Sequence, residues 1–422
     1  MRFSTLDQWL AWQETLHPRA IDMGLERIRP VADALGLLNP AMPVITVAGT
    51  NGKGSCVAYA EAILLAAGYR TGAYVSPHLL RYNERIRLSG AEVDDASLLR
   101  AFEAVDAARG ATTLSYFEFG TLAAFWLFRE AGVEVQILEV GLGGRLDAVN
   151  LVDADVAVIS SVGIDHTDWL GPDVESIGRE KAGIFRSGRP AVLASADMPA
   201  SVTEVARHLG VPLRAAGTDY TWDVAGNGAW CWQRGERQLR ELPRLPIAGE
   251  VQYANAAAVL TALDALNHRL PVSPDAIRTG LAGTRLAGRM QRLPGAVEWL
   301  LDVAHNADSA RALARHLASE PVTGRRFGVV ALLRRKDRQA VLAPLQGVMD
   351  GWYLLQLADQ AAWPPQALEE ILGRDAVLGH GGAAELLARI GRDTRPGDQV
   401  VVFGSFRTVE DILRHRPAIS AA

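Results

Sequence analysis

Residues 44–55, reading VITVAGTNGKGS, couple an apolar run to a glycine-punctuated loop that carries one lysine. The chemistry that this suits is phosphate binding. Gly49, Gly52 and Gly54 let backbone N–H groups approach an anion with no Cβ in the way, and Lys53 can reach the outer phosphates of a nucleotide. The loop departs from the common G-x-x-x-x-G-K-[ST] pattern, because position 47 is Val47 and Gly54 separates Lys53 from Ser55. An ordinary glycine-rich turn between a strand and a helix is the competing reading.

Further along, VQILEVGLGGRLDAVN ends a second apolar run in Glu139, whose carboxylate is expected at the carboxyl edge of a sheet, where open α/β folds bind ligands. Mg²⁺ takes one or two protein oxygens together with phosphate and water, so Ser55 and Glu139 form a magnesium pair on this reading. A turn-capping glutamate is the alternative. A third run ends in GIDHTDWLG, which brings out Asp165, His166 and Asp168 together. His166 could be a metal ligand, a base or a satisfied polar residue; imidazole suits Mn²⁺ better than Mg²⁺, so Mn²⁺ is a possible substitute. Lys181, in SIGREKAGIFR, reads from its spacing as a solvated helix charge. Asp302, in LLDVAHNADSARAL, precedes His305 and Asn306 at a helix start, and could accept from a ribose hydroxyl or cap the helix.

The elements that must position these groups follow from periodicity. Helices are expected over residues 5–16 and 25–35, then a strand over 44–47 and a helix over 55–68. Strand character recurs at 70–75, 135–140, 155–160 and 190–194, separated by helical patterns at 96–108, 120–130 and 174–185. Such alternation argues for a parallel sheet covered on both faces. Residues 219–242 change texture to short runs with Trp222, Trp230 and Trp232 around glycines, the mark of antiparallel hairpins. Helices near 254–266 and 274–281 follow. A fresh alternation then places strands at 297–303, 327–332, 352–357 and 399–403. The expected fold class is α/β. An N-terminal P-loop-type parallel sheet domain with a small antiparallel addition covers 1–287, and a C-terminal Rossmann-like α/β domain covers 288–422.

Two domains also suit a chain of 422 residues. The net charge of −5 comes from well-mixed acids and bases, with no block of like charge to suit nucleic acid or a membrane surface. Cys56 and Cys231 make neither a metal-ligand spacing nor a disulfide framework. With no basic segment leading an apolar leader and no apolar run of spanning length, the expectation is a soluble cytoplasmic protein.

The segments GTNGKGS, SPHLLRYNERIR, YFEFGTLAAFW, LEVGLGGRLDAVN, DHTDWLG, REKAGIFR, GRM and DVAHN, in this order and spacing, resemble the dihydrofolate synthase/folylpolyglutamate synthases of the Mur ligase superfamily almost end to end. The resemblance implies an ATP-dependent amide ligase that joins L-glutamate to dihydropteroate and then to folates, through an acyl phosphate. It implies ATP contacts at Thr50, Asn51, Gly52, Lys53, Gly54, Ser55, Asn255, Arg289, Asp302 and His305, and magnesium ligands at Ser76, Glu139 and His166. Lys181 matches a lysine that CO₂ can carbamylate, against the solvated reading. Lys53, Glu139, His166, Lys181 and Arg289 are the implied catalytic group. Pteridine binding is implied at Ala20, Ile21, Asp22 and Met23, at Ser115, Tyr116, Phe117 and Glu118, and at Leu146, Asp147 and Ala148. Within these, Asp22 is suited to accept from the pterin's paired donors and Phe117 to stack on its ring. LLRRKDR departs from close relatives by an arginine pair before Lys336 and Asp337. The family suggests a monomer. The rival readings are a UDP-muramoyl peptide ligase, which takes a further domain of roughly 100 residues before the loop, and a P-loop ATPase with no synthetic role.

Overall fold

The computed structural model describes residues 2–359 and 361–415. Its contacts divide the chain into two units. The first holds the residues up to Gly163, Thr167–Pro246 and Gln252–Thr284; the second holds Ile164–His166, Ile247–Val251 and the chain from Arg285 onward.

The first unit is built on a sheet of eight strands: β1 (Val44–Ala48), β2 (Thr71–Tyr74), β3 (Ile86–Leu88), β4 (Ala91–Glu92), β5 (Val135–Glu139), β6 (Val156–Ile159), β7 (Ala191–Leu193) and β8 (Leu213–Ala215). Their order is β4-β3-β2-β5-β1-β6-β7-β8. Every residue of β1 and β5 is buried, including Thr46, Gln136 and Glu139, as expected of largely apolar strands covered on both faces. β2 and β5 through β8 run parallel with β1, while β3 and β4 close one edge antiparallel. This edge and β8 are absent from the sequence expectation. β3 lies in RYNERIRL, where alternating arginines hide a strand only three residues long.

Local chemistry sets the helix starts. Thr5 caps the Leu6–Leu16 helix reciprocally with Gln8, and Ser115 caps Tyr116–Glu130 with Glu118, four residues before the apolar run begins at residue 120. The helix expected over 25–35 is confined to Arg29–Ala34, because Pro30 is tolerated only in a first turn. The tryptophan-rich stretch forms an antiparallel meander of β9 (Thr221–Val224), β10 (Trp230–Arg234) and β11 (Arg237–Leu242). Trp232 is buried there and donates to Thr261 Oγ1 at 3.0 Å.

The second unit has a six-stranded sheet of β12 (Gln291–Leu293), β13 (Glu298–Leu301), β14 (Arg326–Val330), β15 (Gly351–Leu355), β16 (Val377–Gly381) and β17 (Gln399–Phe403). The order is β12-β13-β17-β14-β15-β16, parallel except for β12. The expectation held four of these strands and lacked β12 and β16. Among the described residues, no helix is long and apolar enough to cross a membrane.

Candidate active site

In the order β2-β5-β1-β6 the chain leaves β1 toward β2 on one side and leaves β5 toward β6 on the other, so a crevice opens beyond the carboxyl ends of these strands. The glycine loop occupies this switch point. Its helix, Lys53–Ala66, begins at Lys53, two residues earlier than expected. Gly52 sits at φ 89°, and a Cβ there would stand 2.7 Å from Asn255 Oδ1, so the position admits only glycine on two counts. The end of β6 clamps the loop. Thr50 N donates to Ser161 O at 2.8 Å, Asn51 N to Ser161 Oγ at 2.9 Å, and Thr50 Oγ1 to Gly163 O at 3.1 Å. Lys53 Nζ folds over the loop onto Gly49 O and Thr50 O, at 3.0 and 3.2 Å. Gly54 and the buried Ser55 follow in the first helical turn.

Register places Glu139 beside Val47, and its Oε2 accepts from Ser76 N at 3.2 Å. Ser76, Glu139, Lys53 and Ser55 thus all belong to the carboxyl ends of adjacent strands in one unit. Among the described residues, no three His, Cys, Asp or Glu side chains gather into a metal cage. One carboxylate and serine hydroxyls are a donor set for a hard cation that keeps phosphate and water oxygens.

The turn after β5 collects the remaining groups of this unit. A Cβ at Gly144 would meet Glu180 O at 2.8 Å and Lys181 O at 2.9 Å, so the Val174–Ala182 helix packs its last turn directly on this turn. Lys181 is 3% exposed, which removes the solvated-charge reading. The Phe117 ring abuts Gly141, Met23 Cε reaches toward Gly143, and Tyr74 lies 5.7 Å from Phe117 between ring centroids. Asp147 is buried beside Leu146 and Ala148; its carboxylate accepts from Leu142 N at 2.8 Å and Val149 N at 3.0 Å. Burial pushes its carboxyl up to about 7, against the opposing pull of those backbone donors and of Lys53.

Asp22 already has partners within the chain. Its carboxylate is taken by Arg27, by His17 Nε2 at 3.0 Å and by the exposed Arg19. Arg27 also donates to both oxygens of the buried Glu118, at 2.7 and 2.9 Å. Arg27 and His17 both sit on Oδ2, while Oδ1 carries only the exposed Arg19, at 3.4 Å. Arg27 escaped the sequence reading because its partner stands 91 residues away. Ala20 and Ile21 lie in the irregular segment before it, and Ser115 and Tyr116 open the helix that carries Phe117 and Glu118.

In the second unit, Asp302 ends β13 and is buried. Its oxygens accept from Met290 N at 2.9 Å and Ala304 N at 2.8 Å, and desolvation raises its pKa against the pull of Arg289. The capping alternative for Asp302 is corrected: Asn306 caps the Ala307–Ser319 helix. Arg289 stacks 5.0 Å above the Phe406 ring. His166, at φ 54°, follows Asp165, whose carboxylate takes Lys336 Nζ, Asn306 Nδ2 at 3.2 Å and His305 Nε2 at 3.4 Å. Burial raises the Asp165 pKa less than His305, Lys336 and His166 lower it, so it stays well below the usual carboxylate range. Asp168 lies in the short Thr167–Leu170 helix of the first unit. Asp337 caps the Arg338–Leu342 helix.

A nucleotide loop at a switch point, followed by a second parallel α/β unit, is the plan of a Mur ligase. The family profile for the Mur ligase middle domain matches residues 47–263, and that for the Mur ligase, glutamate ligase domain, matches 288–406. More narrowly, the chain belongs to the dihydrofolate synthase/folylpolyglutamate synthases of that superfamily. It is 45% identical to the Escherichia coli (strain K12) enzyme of that name over 97% of this chain and 95% of the relative. With the Haemophilus influenzae enzyme it shares 36%, over 97% of each. The structure of E. coli FolC in complex with DHPP and ADP superimposes with a TM-score of 0.94 at 44% identity, covering 99% of both chains. A bifunctional relative with Mn, AMPPNP and L-glutamate bound gives 0.90 at 44%, covering 98% of both.

Proposed function

We propose that this protein is an ATP-dependent ligase that joins L-glutamate to dihydropteroate, and further glutamate to tetrahydrofolates, through an acyl phosphate. The single observation that carries this reading is the gathering of Lys53, Ser55, Ser76 and Glu139 at the carboxyl ends of adjacent strands, in a chain 45% identical to a named dihydrofolate synthase/folylpolyglutamate synthase.

A carboxylate and an amine do not condense in water, because hydroxide is a poor leaving group. The carboxylate oxygen of the acid attacks the γ-phosphorus of ATP; the bond to the β,γ-bridging oxygen breaks, and ADP leaves. The glutamate amine then adds to the acyl carbon, and the tetrahedral intermediate collapses with loss of phosphate and a proton. The glycine loop and Lys53 hold the phosphates, so catalysis is mostly positioning and charge neutralisation. Glu139 with Ser76, Ser55 and His166 would hold Mg²⁺, which supplies further neutralisation of the transferring phosphoryl group; Mn²⁺ is the substitute. Asn255, Arg289, Asp302 and His305 take the nucleotide, and Ala20–Met23, Ser115–Glu118 and Leu146–Ala148 take the pterin. Carbamylation of Lys181, whose amine is nearly out of contact with water, would add an anionic oxygen donor. The ligase works as a cytoplasmic monomer, with residues 1–287 and 288–422 as its two domains.

The test offers purified protein ATP, Mg²⁺ and L-glutamate with dihydropteroate, tetrahydrofolate or a UDP-muramoyl peptide, and follows phosphate release. Release is expected with each pterin acid and only when glutamate is present. Release with the muramoyl peptide alone, or without any acid, overturns the proposal.

A further inference from the structure

The segment after the Ser76 turn carries two arginines, Arg85 and Arg87, with opposite fates. Arg87 pairs with the carboxylate of Glu61 at 2.6 Å. Arg85 is more deeply buried, 9% exposed, and among the described residues it forms no ion pair. Its sequence neighbour Glu84 is turned elsewhere, accepting from the backbone N–H groups of Leu79, Leu80 and Arg81 at 2.6 to 2.7 Å. The surroundings of Arg85 are aromatic and neutral. Its Cζ lies 5.4 Å from the Tyr82 ring centroid and 5.5 Å from that of Tyr116. Its Nε donates to His78 Nδ1 at 2.8 Å, which leaves that ring unprotonated at Nδ1 and uncharged.

A guanidinium packed among rings and a neutral imidazole has lost part of its hydration, and no carboxylate among the described residues pairs with it. It is a receptor for an anion brought by a ligand, and its planar fork matches a carboxylate. Its place is set by the backbone: Val75 N donates to Arg85 O at 2.9 Å, and the next residue, Ser76, donates to Glu139. Tyr116 also stands next to Phe117. The backbone of Arg85 is therefore tied to the turn that carries Ser76, and its guanidinium lies against the residue that precedes Phe117. A bidentate guanidinium on the reacting carboxylate would occupy the lone pairs that must attack phosphorus, so the fitting partner is a second carboxylate.

We propose that Arg85 receives the non-reacting α-carboxylate of a glutamyl unit, a group that tetrahydrofolate carries and dihydropteroate lacks. This rests on the ligase reading above. The same carboxylate chemistry could come from the bound folate or from the incoming L-glutamate, and the kinetics distinguish them.

Steady-state rates are measured for the wild-type protein, R85M and R85K, with dihydropteroate and with tetrahydrofolate, varying each acid and L-glutamate, alongside thermal midpoints. If the folate supplies the carboxylate, the KM for tetrahydrofolate in R85M rises roughly tenfold or more, far beyond the change for dihydropteroate. If the incoming amino acid supplies it, the KM for L-glutamate rises in both reactions. R85K keeps the charge without the fork, so it shows a smaller shift of the same kind at an unchanged midpoint, and carries the test alone if R85M does not fold. Unchanged KM values, or equal losses of kcat with both acids, overturn the assignment to Arg85. A wild-type protein that uses neither acid overturns the ligase reading instead.

Discussion

Arg27 satisfies two acids at once, and this makes it the residue on which the segment around Asp22 depends. Removing it in R27M leaves Glu118, only 4% exposed, without its counter-ion. The expected cost is about 2 kcal/mol, below the usual figure for a fully buried pair because Arg27 itself is 25% exposed. Thermal unfolding with and without the substitution checks this. The pH dependence carries a sign. Burial raises the Asp22 pKa, but Arg27, His17 and Arg19 outweigh it and hold the group below its ordinary value of 3.8. A lowered carboxyl stabilises the fold above its unfolded pKa, and that share is lost as pH falls through the lower folded value. R27M should therefore lose less stability on acidification than the wild type, as midpoints followed downward from pH 5 would record. An equally steep acid limb in both proteins would contradict the role given to Arg27.

The helix behind the phosphate loop is held by a neighbour that comes closer than side chains normally allow. A Cβ at Gly280 would stand 2.4 Å from Ile63 Cα, so the Pro274–Gly283 helix meets the Lys53–Ala66 helix backbone to backbone. G280V must push the two apart, at roughly 1–3 kcal/mol for overpacking. Because Lys53 opens the displaced helix, the KM for ATP should rise together with the fall in midpoint, measured by phosphate release and melting on one preparation. At this scale the chain can be read far. β1, β5, β6 and β17 are predominantly apolar runs, and the glycine loop after β1 is visible from residue types alone. What stayed hidden has physical causes. β4 is two residues long and exposed, β3 is interrupted by arginines, and Glu118 starts its helix through a capping exchange before any apolar period is established. Lys181 looked solvated because spacing carries no information on what covers a helix; the turn at Gly144, at another strand end, packs on the backbone of that helix's last turn. Arg27 is defined by a partner distant in sequence, and Arg85 by having no acidic partner among the described residues.

Taken whole, the protein should be markedly more stable with its nucleotide. The phosphate loop is clamped by β6 and by Asn255, so a ligand on it bears on strands and helix together. At a hundredfold excess over the dissociation constant, linkage gives about 2.7 kcal/mol. AMPPNP with Mn²⁺ should raise the thermal midpoint, and EDTA should reverse the metal-dependent part. No rise with nucleotide at any concentration would count against the loop as its site.

The placing of β17 has a consequence for how the protein comes into being. This strand is read late, at Gln399–Phe403, yet it lies in the middle of its sheet, with β13 on one side and β14 on the other. During synthesis more than a hundred residues from β12 onward must wait, their inner strand edges uncovered, until the ribosome has released the piece that joins them. A nascent chain arrested short of residue 399 would expose two raw edges to proteases and chaperones, and a nonsense mutation even that late would yield no usable second unit.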